Sequence, residues 1–227
     1  MSVARLPLLR LTRSRPTWAA AFGLSALALG AAWVQHHVAS IHGADRALDF
    51  YSALALPLVA YALVAAALGN AGLAASGRSL VRLGAPPQRV ALATVVVTMF
   101  ACATVSGVLG AFVAGMAHGP GDPPRSLDML DTLAFGALAG ATYAAYFLLA
   151  AALVAGFWGR ALFLAIDWIV GSGVGLGAAF LPRAHLRNLL GGEPAFDFLP
   201  WESLLALAMM AIVCATLAVR RAAQVRT

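Results

Sequence analysis

Six long stretches of this chain, at 17–38, 50–73, 90–117, 132–158, 161–181 and 203–219, hold a single charged residue between them, Asp167. Each has at least the roughly 17 residues with which an apolar helix can cross the hydrocarbon of a bilayer. Their content leaves no soluble alternative. The chain is 62% hydrophobic and 11% charged, whereas a soluble domain carries about 25% charged residues and keeps much of its surface wet. The expected fold is therefore all-α, a polytopic integral membrane protein with six transmembrane helices over 17–219. The longest connection, 182–202, is too short for a soluble domain. The arginine-bearing start has the outline of a secretory signal, but five further spans behind it favour an uncleaved first helix.

The charges between the spans set an orientation. Every basic residue is arginine, fifteen in all, and the formal net charge is +6. With the N-terminus inside, eleven arginines and no acid fall on the cytoplasmic side, including Arg5, Arg10, Arg13, Arg15, Arg78, Arg82, Arg89, Arg160, Arg220, Arg221 and Arg226. The other side takes four arginines and eight acids. Short loops rich in arginine stay cytoplasmic, so both termini are expected there. Merging or splitting any span would scramble this partition. Trp18, Trp33, Trp158 and Trp201 fall at expected span ends, where amphipathic rings prefer the headgroup level.

Within the membrane, Pro57 is expected to kink the second span, and Gly136 and Gly140 form a small-residue pair for close helix packing. Gly171, Gly173, Gly175 and Gly177 alternate through the outer half of the fifth span, each lowering helix propensity by about 1 kcal/mol relative to alanine. That run reads either as a break in the helix or as close packing. Asp167 is a candidate pathway group, because an intramembrane carboxylate is expensive to bury; the plainer reading is a structural carboxylate satisfied by an arginine or a neighbouring helix.

Several chemistries are excluded or disfavoured. Without lysine there is no Walker-type nucleotide site and no Schiff base. A Gly-x-Ser-Gly protease motif is missing, and the last span has no histidine partner. With no cytoplasmic acid there is no metal-dependent lipid phosphotransferase on that side. His36, His37, His42, His118 and His185 match no metal-ligand spacing, so no metal site is assigned. Cys102 and Cys214 lie in apolar runs and read as buried small hydrophobes.

The order of features resembles the permeases of type-2 ABC exporters. The basic, leucine-interleaved segment 1–16, with Arg10, Arg13 and Arg15 leading to Pro16, Thr17 and Trp18, is similar to that family's interfacial connecting helix. The cytoplasmic loop 74–89, with Arg78, Arg82, Leu83 and Arg89 and the pair Pro86 and Pro87, looks like its coupling helix. The segment 182–202, opening on Pro182 and His185 and running through leucines to Gly191 and Gly192, resembles its extracytoplasmic or re-entrant segment, and 220–227 is a basic tail. The resemblance implies a permease subunit in a bacterial inner membrane, a homodimer or paired permease in contact with the lipid bilayer, and a separate ATP-binding-cassette ATPase. Hydrolysis of ATP with Mg would then take place in that partner; this chain would be no enzyme, would bind no cofactor and would meet no nucleic acid. The alternative is an ATPase-independent membrane protein, either a proton-coupled carrier centred on Asp167 or a scaffold.

Overall fold

The computed structural model describes residues 3–38, 43–119, 122–154, 156–173, 175–194 and 197–224, and among these it contains helices and no strand. A short amphipathic helix, α1 (Arg5–Arg13), leads into α2 (Arg15–Val38). Next come α3 (Gly43–Phe50), a π turn (Tyr51–Ala55) and α4 (Leu56–Leu68), which together form one long helical unit. Two short helices, α5 (Leu73–Ser76) and α6 (Arg78–Arg82), precede the hairpin of α7 (Pro87–Ala117) and α8 (Arg125–Leu153). The chain ends with α9 (Phe157–Val170), a 3-10 turn (Ala178–Phe180), α10 (Pro182–Leu189) and α11 (Pro200–Gln224).

Five helical units are long and apolar enough to cross a membrane: α2, the α3–α4 unit, α7, α8 and α11. The protein is thus an all-α, multi-pass membrane protein. Helix α7, with 31 residues, is about 46 Å long at 1.5 Å per residue, more than the roughly 30 Å of a hydrocarbon core. The centre of the bundle is α8 and the α3–α4 unit, while α2 and α11 expose most of their surface.

Lipid tails are as apolar as leucine, so helices in a membrane are held by packing and hydrogen bonds rather than by the hydrophobic effect. The α7–α8 hairpin shows this directly. A Cβ placed on Gly140 would stand 2.6 Å from the Cys102 carbonyl, and one on Gly107 would stand 2.8 Å from that of Leu133. Gly110 and Gly136 open a slot for the Tyr51 ring, which is fully buried and donates its hydroxyl to the Ser106 carbonyl at 2.6 Å. Pro57 acts through the π turn that precedes it. Its missing N–H frees a carbonyl one turn back, and the chain widens so that the Leu56 N–H bonds the Tyr51 carbonyl instead.

The charges separate as the helices alternate. Arg89 and Arg220 face each other at one end of the bundle, and Asp45, Asp122, Asp128 and Asp131 surround a cavity of about 220 Å³ at the other. We call these the basic and acidic ends. Helix α2 runs from the basic to the acidic end, where His36 bonds the carbonyl of His118 beyond α7.

The fifth expected span, 161–181, is not one helix. Helix α9 has 14 residues, about 21 Å, too short for a crossing. It runs beside α8 with its Phe163 carbonyl at Tyr146 and Asp167 at Tyr143, and stops near the middle of the bundle. Helix α10 then carries the chain on, to Leu189 and Leu190 beside Thr132 and Phe135 at the acidic end. The glycines explain the stop, since a run of poor helix formers gives the backbone nothing to gain by continuing. Other bounds shift as well: the second and fourth spans begin earlier than expected, at Gly43 and Arg125, and end earlier, at Leu68 and Leu153. Helix α11 runs past 203–219 at both ends, and Arg226 and His42 lie outside the described residues.

Candidate functional site

Two places concentrate polar groups. The first is the face at the basic end. Loop 69–86 leaves α4 at Gly69, whose φ of +64° is a conformation that glycine adopts without a steric penalty, and folds back as α5 and α6 against the start of α7. A Cβ on Gly77 would stand 2.5 Å from the Val90 side chain, so the corner between the two short helices sits directly on α7. Leu73 is buried in that seam, and α6 contributes the half-buried Leu80 and Val81, the latter beside Val90 and Ala91. Arg78 and Arg82 are exposed, and Leu83 is 83% exposed. Both arginines and the neighbouring Leu83 are thus left outside the packing of the chain.

Arg89 does not join them. It occupies the opposite face of α7 from Val90 and Ala91, which receive α5 and α6, and looks across a groove to Arg220. In α1, Pro7 and Leu11 are buried, Arg13 is exposed and Arg10 is half-buried, and Arg15 at the start of α2 is exposed. The Trp18 indole donates to the Leu11 carbonyl at 2.7 Å, satisfying one of the free carbonyls at the end of that helix.

Arg160, counted among the cytoplasmic arginines, is buried at 1% exposure. It donates through Nη2 to the Gly69 carbonyl at 3.0 Å and so ties the start of α9 to the end of α4. The Tyr61 hydroxyl lies beside the guanidinium, whose Nε and Nη1 are also buried.

The second place is the break between α9 and α10. Asp167 is completely buried. Its Oδ2 accepts from the Tyr143 hydroxyl at 2.7 Å, and its Oδ1 accepts from the Arg183 backbone N–H at 3.2 Å. That N–H belongs to the first turn of α10, so the carboxylate caps the second half-helix while sitting on the first, where a negative charge is favoured by the free donors and the helix dipole. The carbonyls left free where α9 stops are also taken. Arg183 Nη1 donates to Trp168 O at 3.3 Å, and Ser172 Oγ donates to Ile169 O at 3.1 Å. Arg187 donates to Ser172 O at 2.9 Å and to Glu193 O at 2.8 Å. The two arginines that the sequence places in an outer loop are thus half-buried braces of the break.

Of the four glycines, Gly171 packs closely, with a Cβ there contacting the Asp167 carbonyl and the Arg183 side chain. Gly173 and Gly177 are moderately crowded and Gly175 is open. Pro182 opens α10, where its missing N–H costs nothing. His185 is buried, with Nε2 on the Ala179 carbonyl at 2.8 Å and Nδ1 on Ser203 Oγ at 3.1 Å. Asn188 donates to the same Ser203 Oγ at 2.8 Å, fastening α10 to the start of α11. Asp167 and His185 serve separate networks.

Tyr143, Ser203 and Asn188 went unremarked in the sequence, yet Tyr143 carried a signal: a phenol in the middle of an apolar span must find an acceptor. Among the described residues no group of three or more histidine, cysteine, aspartate or glutamate side chains converges as metal ligands would, and Cys102 and Cys214 are free. No family model matches the chain, and no curated protein is similar to it.

Proposed function

We propose that this chain is the permease subunit of an ATP-binding-cassette exporter of the type-2 class, and that a separate ATPase docks on its basic end. In this reading the basic end faces the cytoplasm of a bacterial inner membrane, and the chain crosses six times, the fifth crossing being the pair α9 and α10. Two copies, or this chain and a paired permease, form the substrate pathway. ATP and Mg are handled by the partner.

One observation carries the proposal: the loop between the second and third passes is folded as α5 and α6, seated on α7, and presents Arg78, Arg82 and Leu83 outward. A loop that served only as a connection would not need a helix that faces α7 through Val81 and turns Arg78, Arg82 and Leu83 outward. Arginines around an exposed leucine match a partner groove that is apolar at its centre and acidic at its rim. The carrier reading has less support, since both oxygens of Asp167 already hold donors from α8 and α10.

The test is purification of the full chain from its host membranes with mass-spectrometric identification of what accompanies it. The expected companion is an ATP-binding-cassette ATPase. Charge reversal in Arg78→Glu with Arg82→Glu should remove the ATPase and leave the amount of inserted permease unchanged. Retention of the ATPase by that variant overturns the docking surface, and absence of any such ATPase from the wild-type preparation overturns the exporter.

A further inference from the structure

Helix α11 packs mainly on α8 and also meets α7. Between α7 and α11 toward the basic end lies an open groove of about 490 Å³. Its walls are apolar: Leu92, Val96 and Met99 from α7 face Ala215 and Val219 from α11. The one hydroxyl in the wall, Thr216, is spent on its own helix, donating to the Ile212 carbonyl at 2.7 Å. At the mouth stand Gln88, Arg89 and Arg220, all exposed.

We infer that this groove is a binding site for an anionic phospholipid of the leaflet at the basic end. The inference rests on the membrane orientation given above and not on the ATPase. Three features specify the occupant. From Arg89 to Met99 the groove runs ten residues along α7, about 15 Å, half of the roughly 30 Å hydrocarbon and thus the depth of one leaflet. Its wall suits an acyl chain and offers no free hydrogen-bonding group along its length. Its charge is confined to the end where a headgroup phosphate would lie, and a basic pocket between helices on the cytoplasmic side is the form that anionic headgroup sites take. A helix from a second copy would fill the apolar wall but would leave the two guanidinium groups without an anion.

Native mass spectrometry of the purified full chain tests this, with phosphatidylglycerol and phosphatidylcholine added at equal concentration. Phosphatidylglycerol should be retained preferentially, and excess inorganic phosphate should not displace it. Arg89→Gln with Arg220→Gln should weaken phosphatidylglycerol retention about thirtyfold, whereas Arg78→Gln with Arg82→Gln should leave it within about twofold. Leu92→Trp, which fills the wall without touching the charges, should also expel the lipid, so the proposal does not depend on the arginine variant folding normally. Equal retention of the two lipids overturns the site. An equal loss in both arginine pairs makes it a general effect of the basic face and overturns it too. If Leu92→Trp instead splits a dimer into monomers, the groove is an interface between copies and the lipid assignment fails. The R78E and R82E pull-down reads the other face of α7, so the two proposals stand or fall separately.

Discussion

Two groups of glycines in this bundle do opposite things. Gly107 and Gly110 on α7, and Gly136 and Gly140 on α8, lie three or four residues apart and share a face, and both helices run on unbroken through them. Gly171, Gly173, Gly175 and Gly177 alternate two apart, so a continuous helix would split them between two faces about 200° apart, and in the structure only Gly171 packs closely while Gly175 is open. In the first group the energy lost from helix propensity returns as backbone-to-backbone contact; in the second it does not, and the helix stops. The freed carbonyls are then satisfied by side chains from α10 and the acidic cap by α9, an exchange of helical hydrogen bonds for arginine and carboxylate hydrogen bonds. Irregular backbone at membrane depth survives only when protein groups satisfy it in this way.

The largest expected effect is at the acidic side of that exchange. Asp167→Ala strands the Tyr143 hydroxyl and the Arg183 N–H, both buried against the break. An unsatisfied buried donor costs about 1–3 kcal/mol, so the pair should lower stability by about 2–6 kcal/mol. Asp167→Asn keeps the shape and one acceptor oxygen and should lose about half as much. Thermal unfolding in detergent, followed by tryptophan fluorescence, reads both. If neither variant is less stable than the wild type, the break is not held by its polar network and the contrast between the glycine groups loses its explanation. A stable Asp167→Asn that has lost a pH-dependent flux would favour the carrier instead.

On the packed side, Gly140→Ala is expected to cost about 1–3 kcal/mol, the usual penalty for overpacking a closed interior. Its Cβ would meet the Cys102 carbonyl at 2.6 Å and the Ser106 side chain at 2.8 Å, and a carbonyl within a helix has little room to withdraw. Gly110→Ala should cost less, because its nearest neighbour is the Tyr51 side chain, at 2.9 Å. Equal and negligible losses at both positions would show that α7 and α8 can part without penalty.

The long continuous passes were legible because apolar length and arginine placement are local signals, and Gly136 and Gly140 could be paired from spacing alone. The alternating glycines read equally as a break and as close packing, because the answer depends on what stands opposite. Arg183 and Arg187 read as loop residues since nothing local shows that α10 folds back beside the end of α9. Arg160 misled for the same reason: positive-inside charge and a buried brace look alike until Gly69 is brought to it from ninety-one residues away. The separation of Arg89 from Arg78 and Arg82 likewise follows from the face that α7 gives to α5 and α6, which no one-dimensional loop boundary contains.

The smallest expected effect sharpens the comparison most. Gly175 has nothing within 4 Å of an added Cβ, and its φ lies outside the left-handed region. Alanine there removes freedom from the unfolded chain without a clash, so Gly175→Ala should raise stability by about 0.4–1 kcal/mol, a thermal shift of about 1–4 °C for a chain of this size. The same substitution at Gly171 should lower stability, because the Arg183 side chain stands 3.2 Å away and the Asp167 carbonyl is closer still. One glycine of the run is then a packing position and another is free, and the two thermal shifts should have opposite signs. If Gly175→Ala stabilises the protein but slows transport, segment 171–177 is a hinge that spends its glycine freedom during the cycle. Shifts of the same sign at both positions would mean instead that the break is uniform and that spacing alone decides how a glycine acts in this bundle.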